Sequence, residues 1–207
     1  MTLLNPTQSV IKVTKALQGH SKFSYINIPK SSIVGLSKNS DNCFPNYFAK
    51  NIISALKLSD SSIMKALSHT LVSDVEAGKH FKIGLNKNAE YYHSNIFEYF
   101  YMNNRDVYNT IIDFFIRDSK CLVVSFNDKK LVQKHMGFNT HVINVPYSNN
   151  YDKLDNVYSQ ISEFDGYDYC IMDCGVFGLA LMPKIWENLN MSILDIGKTM
   201  NLIKTSS

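Results

Sequence analysis

Little in this 207-residue chain points to the commonest specialised classes. There is no basic run, and the net charge of +3 is too small to argue for nucleic acid by itself. The nearest cluster, Lys129, Lys130, Lys134 and His135, reads as a solvated helix face. Four cysteines stand at 43, 121, 170 and 174. Cys170 and Cys174 lack a second pair, which disfavours zinc, and Cys121 and Cys170 sit in apolar strand patterns as small hydrophobes. No apolar run approaches the ~18 residues of a membrane span, and the first residues lack the charged start and apolar stretch of a signal peptide. A reduced, cytoplasmic protein without a membrane partner is expected. There is no G-x-G-x-x-G, Walker loop, G-x-S-x-G or H-E-x-x-H, so dehydrogenase, ATPase and hydrolase readings have no anchor. No internal repeat, low-complexity tract or clear linker divides the chain.

What is present is a 45% hydrophobic share, enough for a core, and a succession of short apolar runs. Thr7 to Leu17 suits a helix with Val10, Val13 and Leu17 inward. Phe23 to Ile28 alternates as a strand and ends at Pro29, and Ser31 to Asn42 reads as loop. Tyr47 to Leu56 is helical. Ile63, Leu67, Leu71 and Val75 follow a capping cluster at helical spacing, with Gly78 as the stop. His80 to Leu85 reads as a short strand, and Ile96 to Tyr101 and Val107 to Ile116 as helices.

From Cys121 the pattern sharpens. Strands are expected at Cys121–Phe126, Thr140–Val145, Tyr167–Asp173 and Met191–Ile196. Helices fall between them: one reaching His135, one over Tyr151–Phe164, and one from Gly175 to about Leu189. Strands joined by such helices pair in parallel, and near-continuous apolar strands are covered on both faces. The expectation is one α/β domain, a Rossmann-like parallel sheet flanked by helices. Residues 118–200 form its nucleotide-binding-like half, and 1–117 a lobe packed on it.

In such sheets ligands bind at the carboxyl ends of the strands. Four ends offer chemistry: Ser125 with Asn127 and Asp128; Tyr147 with Ser148 and Asn149; Asp173 with Gly175; Asp195 with Lys198. In Asp173-Cys174-Gly175-Val176-Phe177-Gly178 a glycine lets backbone approach a phosphate at a helix N-terminus. The plainer reading is that Gly175 and Gly178 permit the turn and tight helix packing. Asp195 and Lys198 are functional, or form an ion pair that fixes a loop. Asp74-Val75-Glu76 has the spacing of a divalent-metal pair, but i and i+2 on a helix diverge, so two solvated carboxylates is the plainer account.

Residues from about Cys121 to Asn201 resemble the carboxy-terminal half of the GT-D glycosyltransferases of the DUF1792 type. The matching pieces are Val142-Ile143-Asn144-Val145-Pro146-Tyr147-Ser148-Asn149-Asn150, then Cys170-Ile171-Met172-Asp173-Cys174-Gly175, then Leu194-Asp195-Ile196-Gly197-Lys198. The family ends this last segment in histidine, where Lys198 stands here. Its early strand carries Arg-x-Gly-Asp-Gly-Glu, which supplies a metal-binding Asp-x-Glu. The strand matched here continues Asn27-Ile28-Pro29-Lys30-Ser31-Ser32, so both carboxylates are replaced and no metal ligand is assigned.

The resemblance implies a nucleotide-sugar donor as substrate and transfer of its sugar to an acceptor that is protein, glycan or nucleic acid. Asn127, Ser148, Asn149, Gly175, Asp195 and Lys198 would line the donor cleft. Lys30 would supply the positive charge that manganese or magnesium gives the family. Asp173 or Asp195 would act as base or position the acceptor hydroxyl. The competing expectation is a degenerate GT-D-fold protein that binds or assembles without transferring anything.

Overall fold

The computed structural model describes residues 2–19, 21–37, 44–76, 79, 83–137, 140–147 and 151–206. Eight strands lie in one sheet: β1 Thr2–Leu3, β2 Ser24–Ile28, β3 Ile63–Leu67, β4 Glu90–His93, β5 Cys121–Ser125, β6 His141–Asn144, β7 Tyr169–Asp173 and β8 Ser192–Asp195. Their spatial order is β1-β4-β3-β2-β8-β7-β5-β6, and every pairing is parallel. Residues 1–117 and 118–200 therefore share one sheet, joined where Ser24 and Tyr25 pair with Ile193 and Leu194.

Among the described residues ten α-helices cover it: α1 Pro6–Gln18, α2 Lys30–Ser37, α3 Asn46–Lys57, α4 His69–Glu76, α5 Ile96–Asn103, α6 Arg105–Ile111, α7 Lys129–Met136, α8 Leu154–Ser162, α9 Val176–Asn188 and α10 Thr199–Ser206. A π-helical turn over Ile112–Ile116 extends α6, and a 3₁₀ turn over Tyr151–Lys153 leads into α8. Strand order decides which face each helix takes. Right-handed crossovers send steps in one direction across one face and steps in the other direction across the opposite face. The steps β2→β3→β4 and β6→β7→β8 run the same way. Their helices α2, α3, α4, α8 and α9 bury Ile33, Phe48, Leu71, Val157 and Leu181 in one core. The steps β1→β2 and β4→β5→β6 run the other way. Helices α1, α5, α6 and α7, with the C-terminal α10, bury Val13, Phe97, Tyr108, Val132 and Met200 in the second.

Local chemistry sets several boundaries. Asn5 caps α1: its Oδ1 accepts from Gln8 N at 2.8 Å and its N–H donates to Gln8 Oε1 at 3.0 Å, with Pro6 in the first turn. Such a cap is worth ~1 kcal/mol.

Three expectations need correction. Ile63–Leu67 is not the start of a helix but strand β3, hydrogen-bonded to β2 along its length and to β4 at its end. The i, i+4 spacing persists because Leu67 ends the strand while Leu71 and Val75 line the helix that follows, all of them buried. The segment after Pro29 is helix α2 rather than loop; residues 38–42 lie outside those described. The strand that follows α4 is Glu90–His93, whereas Ile83 and Gly84 form a turn; Gly78 and 80–82 lie outside the described residues. Helix α10 and the two-residue β1, paired to β4, were not foreseen.

Candidate functional site

The carboxyl ends of β2 and β8 are locked together by one carboxylate. Asp195 Oδ2 accepts from Asn27 N at 3.1 Å, and Oδ1 accepts from Gly197 N at 2.8 Å. Asn27 reciprocates: its Nδ2 donates to Asp195 O at 3.2 Å, and its Oδ1 accepts from Asn95 N at 2.8 Å. Three chain segments thus meet at an Asp–Asn pair 2% and 5% exposed. Burial pushes the Asp195 carboxyl up to about 7, against the N–H bonds that favour its anion; nearby Asp173 adds to the rise. Asp195 forms no ion pair with Lys198 among the described residues; it is a backbone tie.

A second buried network joins β5 and β7. Asp173 Oδ2 accepts from Ser125 Oγ at 2.7 Å and from Asn127 Nδ2 at 2.8 Å. Asn127 N donates to Ser125 Oγ at 2.9 Å, and Asn144 Nδ2 from β6 donates to Asn127 O at 2.8 Å. Desolvation raises the Asp173 carboxyl to about 6, with its two hydrogen bonds opposing.

Against the first of these ties lies a cleft of about 260 Å³, lined by Asn27 and Asp195 with Lys30, Glu98, Gly175 and Lys198. Three helix N-termini face it by position: α2 begins at Lys30, α9 follows Gly175 and α10 follows Lys198. Glu98 of α5 accepts from Lys198 N at 2.6 Å, and burial raises its carboxyl. A Cβ at Gly197 would stand 2.4 Å from Glu98 Oε1, so glycine allows this close approach.

Gly175 has φ +54° and ψ −127°, a conformation essentially reserved to glycine, and open space lies where its Cβ would be. Gly175→Ala should therefore cost ~1–3 kcal/mol in backbone strain without any steric clash. Thermal denaturation checks this; an unchanged midpoint would show that the turn relaxes freely.

The structure brings Lys30, Gly175, Asp195 and Lys198 to one cleft. Asn127 and Asp173 are not in its lining: they belong to the adjacent buried network, with the Asn127 amide spent on Asp173. Ser148 and Asn149 lie outside the described residues. Asp74 and Glu76 sit in the last turn of α4, towards the amino ends of the strands, and Asp74 pairs with Lys79 at 2.9 Å. Sequence reading missed Ser94, Asn95 and Glu98 because the strand that delivers them was not recognised. The signal was there: Tyr91-Tyr92-His93 is an aromatic run ending in two small polar residues. Asn95 takes the left-handed conformation (φ 57°), which asparagine tolerates, to start α5.

The divalent cation implied by the family resemblance does not fit these residues. At the end of β2 stand Asn27, whose Oδ1 accepts from Asn95 N, Pro29, whose side chain has no ligand atom and whose carbonyl accepts from Ser32 Oγ at 2.6 Å, and Lys30, itself a cation. Both Asp195 oxygens hold backbone N–H groups, and Glu98 Oε1 holds another. No group of three potential ligands forms among the described residues.

A wholly parallel sheet covered on both faces, with a glycine-opened cleft at its carboxyl edge lined by Lys30 and Lys198, defines a doubly wound α/β fold. A family model for the GT-D fold-like domain matches residues 24–203, and the chain belongs to that family. A highly conserved domain of unknown function 1792 with a distinct glycosyltransferase fold superposes at a TM-score of 0.70 and 11% identity, over 100% of this chain and 83% of that one. A new glycosyltransferase (DUF1792) from Streptococcus sanguinis superposes at 0.70 and 13% identity, over 100% and 86%. At such identities the likeness shows the fold alone. No curated protein matches the chain. No helix among the described residues is long and apolar enough to cross a membrane.

Proposed function

We propose that this GT-D-fold chain binds a nucleotide-sugar across the carboxyl ends of β2, β8 and β7 and transfers its sugar to an acceptor without a metal. The observation that carries the reading is the single cleft that gathers Lys30, Lys198 and the glycine-led N-terminus of α9. Two ammonium groups and oriented backbone N–H groups match a diphosphate, and they offset the charge that grows on it as the sugar leaves. Lysines then do by charge what the family's cation does by coordination. Asp173 and Asp195 serve in this reading as ties that hold the strand ends in register, because their oxygens are committed to neighbouring donors. Three unpaired buried thiols, Cys121, Cys170 and Cys174, suit a reducing, cytoplasmic setting. The acceptor, whether protein, glycan or nucleic acid, is left open by the donor cleft.

The test is a thermal-shift screen against nucleotide-sugars and nucleoside diphosphates, with and without manganese. A ligand at a hundred times its Kd stabilises by about 2.7 kcal/mol, which for a chain of this size moves the midpoint by roughly 5–10 °C. A shift independent of manganese, weakened about tenfold in apparent affinity by Lys30→Ala or Lys198→Ala, is the expected result, since a charge-assisted bond is worth ~1.5–3 kcal/mol. No shift with any nucleotide-sugar on folded protein would leave the degenerate binding-protein reading in its place.

A further inference from the structure

The donor cleft does not end at Glu98. Ser68, Ser94, Asn95 and Glu98 also line a second, more open stretch of about 440 Å³, so the two form one trough. Its far end carries His69, His93, Tyr99 and Met102, and Tyr99 and Met102 are 42% and 63% exposed.

His93 is held for a task. It ends β4, and its backbone is fixed on both sides: its N–H donates to Ser9 Oγ at 2.9 Å, and its carbonyl accepts from the Tyr25 hydroxyl at 2.8 Å. The ring is fixed as well. Nδ1 lies 2.7 Å from Ser94 O, and a carbonyl can only accept, so Nδ1 carries the hydrogen. Burial, with His69 beside it, lowers the His93 pKa and favours the neutral ring. The lone pair of a neutral ring in this tautomer is then on Nε2, which has no hydrogen-bond partner among the described residues. The His69 and Tyr99 rings flank it edge-on, with centroids 5.2 and 6.3 Å away.

We propose that His93 is the catalytic base of the transfer reaction and that the His69–Tyr99–Met102 end of the trough seats the acceptor. The inference rests on the transferase reading of the adjoining cleft. The acceptor oxygen forms a bond to the anomeric carbon, and the bond from that carbon to the diphosphate oxygen breaks. The nucleoside diphosphate leaves with the bonding electron pair, beside Lys30 and Lys198. The acceptor hydroxyl proton passes to His93 Nε2, and the imidazolium returns it to solvent. A positioned base contributes about 10²–10⁴-fold. Rings and a thioether on the acceptor side suit a hydroxyl-bearing molecule with an apolar face.

The experiment compares wild type, His93→Gln and His93→Ala with UDP-glucose, UDP-galactose, UDP-N-acetylglucosamine and GDP-mannose. It reads the thermal shift for binding and nucleoside diphosphate release for turnover, to water or to added methyl glucoside. Both variants should keep the donor-induced shift and lose turnover about a hundredfold or more, and imidazole in the buffer should restore part of the His93→Ala rate. Turnover unchanged in both variants overturns the base assignment and leaves the donor reading standing. Loss of the shift in either variant also overturns it, by making His93 a donor-binding group. A wild type with neither shift nor turnover removes the transferase reading, and the base with it.

Discussion

Asp195→Ala should lower the melting midpoint by roughly 8–15 °C and abolish any nucleotide-sugar shift. The cause is the donors it leaves behind. Asn27 N and Gly197 N both lose their acceptor, the first in a residue 5% exposed where water does not replace it, the second half-buried. Each orphaned buried donor costs ~1–3 kcal/mol. A total of about 3–5 kcal/mol translates into that midpoint change for a chain of this size. Binding fails for the same reason. Released from Asp195, Asn27 no longer fixes Asn95, and the Gly197–Lys198 turn no longer sits against Glu98. Asp195→Asn should fall between, since one oxygen remains but the new amide meets a backbone N–H. A midpoint within 2 °C of wild type in Asp195→Ala would show that the latch carries no stability.

Stability should fall as pH rises from 5 to 8, through the two buried carboxylates. Both have folded-state pKa values above the ordinary carboxylate value: Asp173 at about 6 and Asp195 at about 7. A carboxyl raised on folding holds its proton more tightly in the native state. Its contribution is therefore complete below the unfolded pKa of about 4 and lost as pH climbs through the folded pKa. At 1.36 kcal/mol for each unit, the pair accounts for on the order of 3–4 kcal/mol between pH 5 and 8, or roughly 10 °C. Three half-buried histidines pull the other way. His93, His135 and His141 have lowered pKa values, so their contribution is lost as pH falls. Asp173→Asn separates the two effects. Its amide oxygen can still accept from Ser125 and Asn127, and it carries no charge at any pH. Relative to wild type it should gain about 1.4 kcal/mol between pH 5 and pH 8, read from denaturant midpoints at the two pH values. An identical pH profile in the two proteins would mean that Asp173 ionises in the fold as easily as in the unfolded chain.

The second half of the sheet could be read directly from residue order because buried parallel strands are near-continuous apolar runs. Cys121 to Ser125 and Tyr169 to Asp173 are buried at every position, as strands covered on both faces must be. In the first half β2 was legible, being likewise buried at every position, but β3 and β4 were hidden. β3 contains Lys65, whose amine reaches the Leu56 carbonyl and is lowered to about 8 by desolvation, so the run looked amphipathic. β4 is four residues of mixed polarity, short enough to pass for a connection. With β4 unread, the turn that supplies Ser94, Asn95 and Glu98 could not be placed, and neither could His93. Asn127 shows a different limit. A residue two beyond a strand end faces either the cleft or its wall, and here it turns into the wall to satisfy Asp173.

Residue order alone determined that this is a parallel α/β sheet and that Lys30, Gly175, Asp195 and Lys198 stand at its carboxyl edge. Those conclusions follow from local rules: hydrophobic period, helix-length connections and the ends of strands. Only the tertiary structure decided that β2 lies beside β8, bringing Asn27 within 3.1 Å of a carboxylate 168 residues away. No local preference specifies which buried strand neighbours which. That choice is made when the helices must cover two faces and every backbone group at the strand ends must find a partner, and it is this choice that turns separate strand ends into one site.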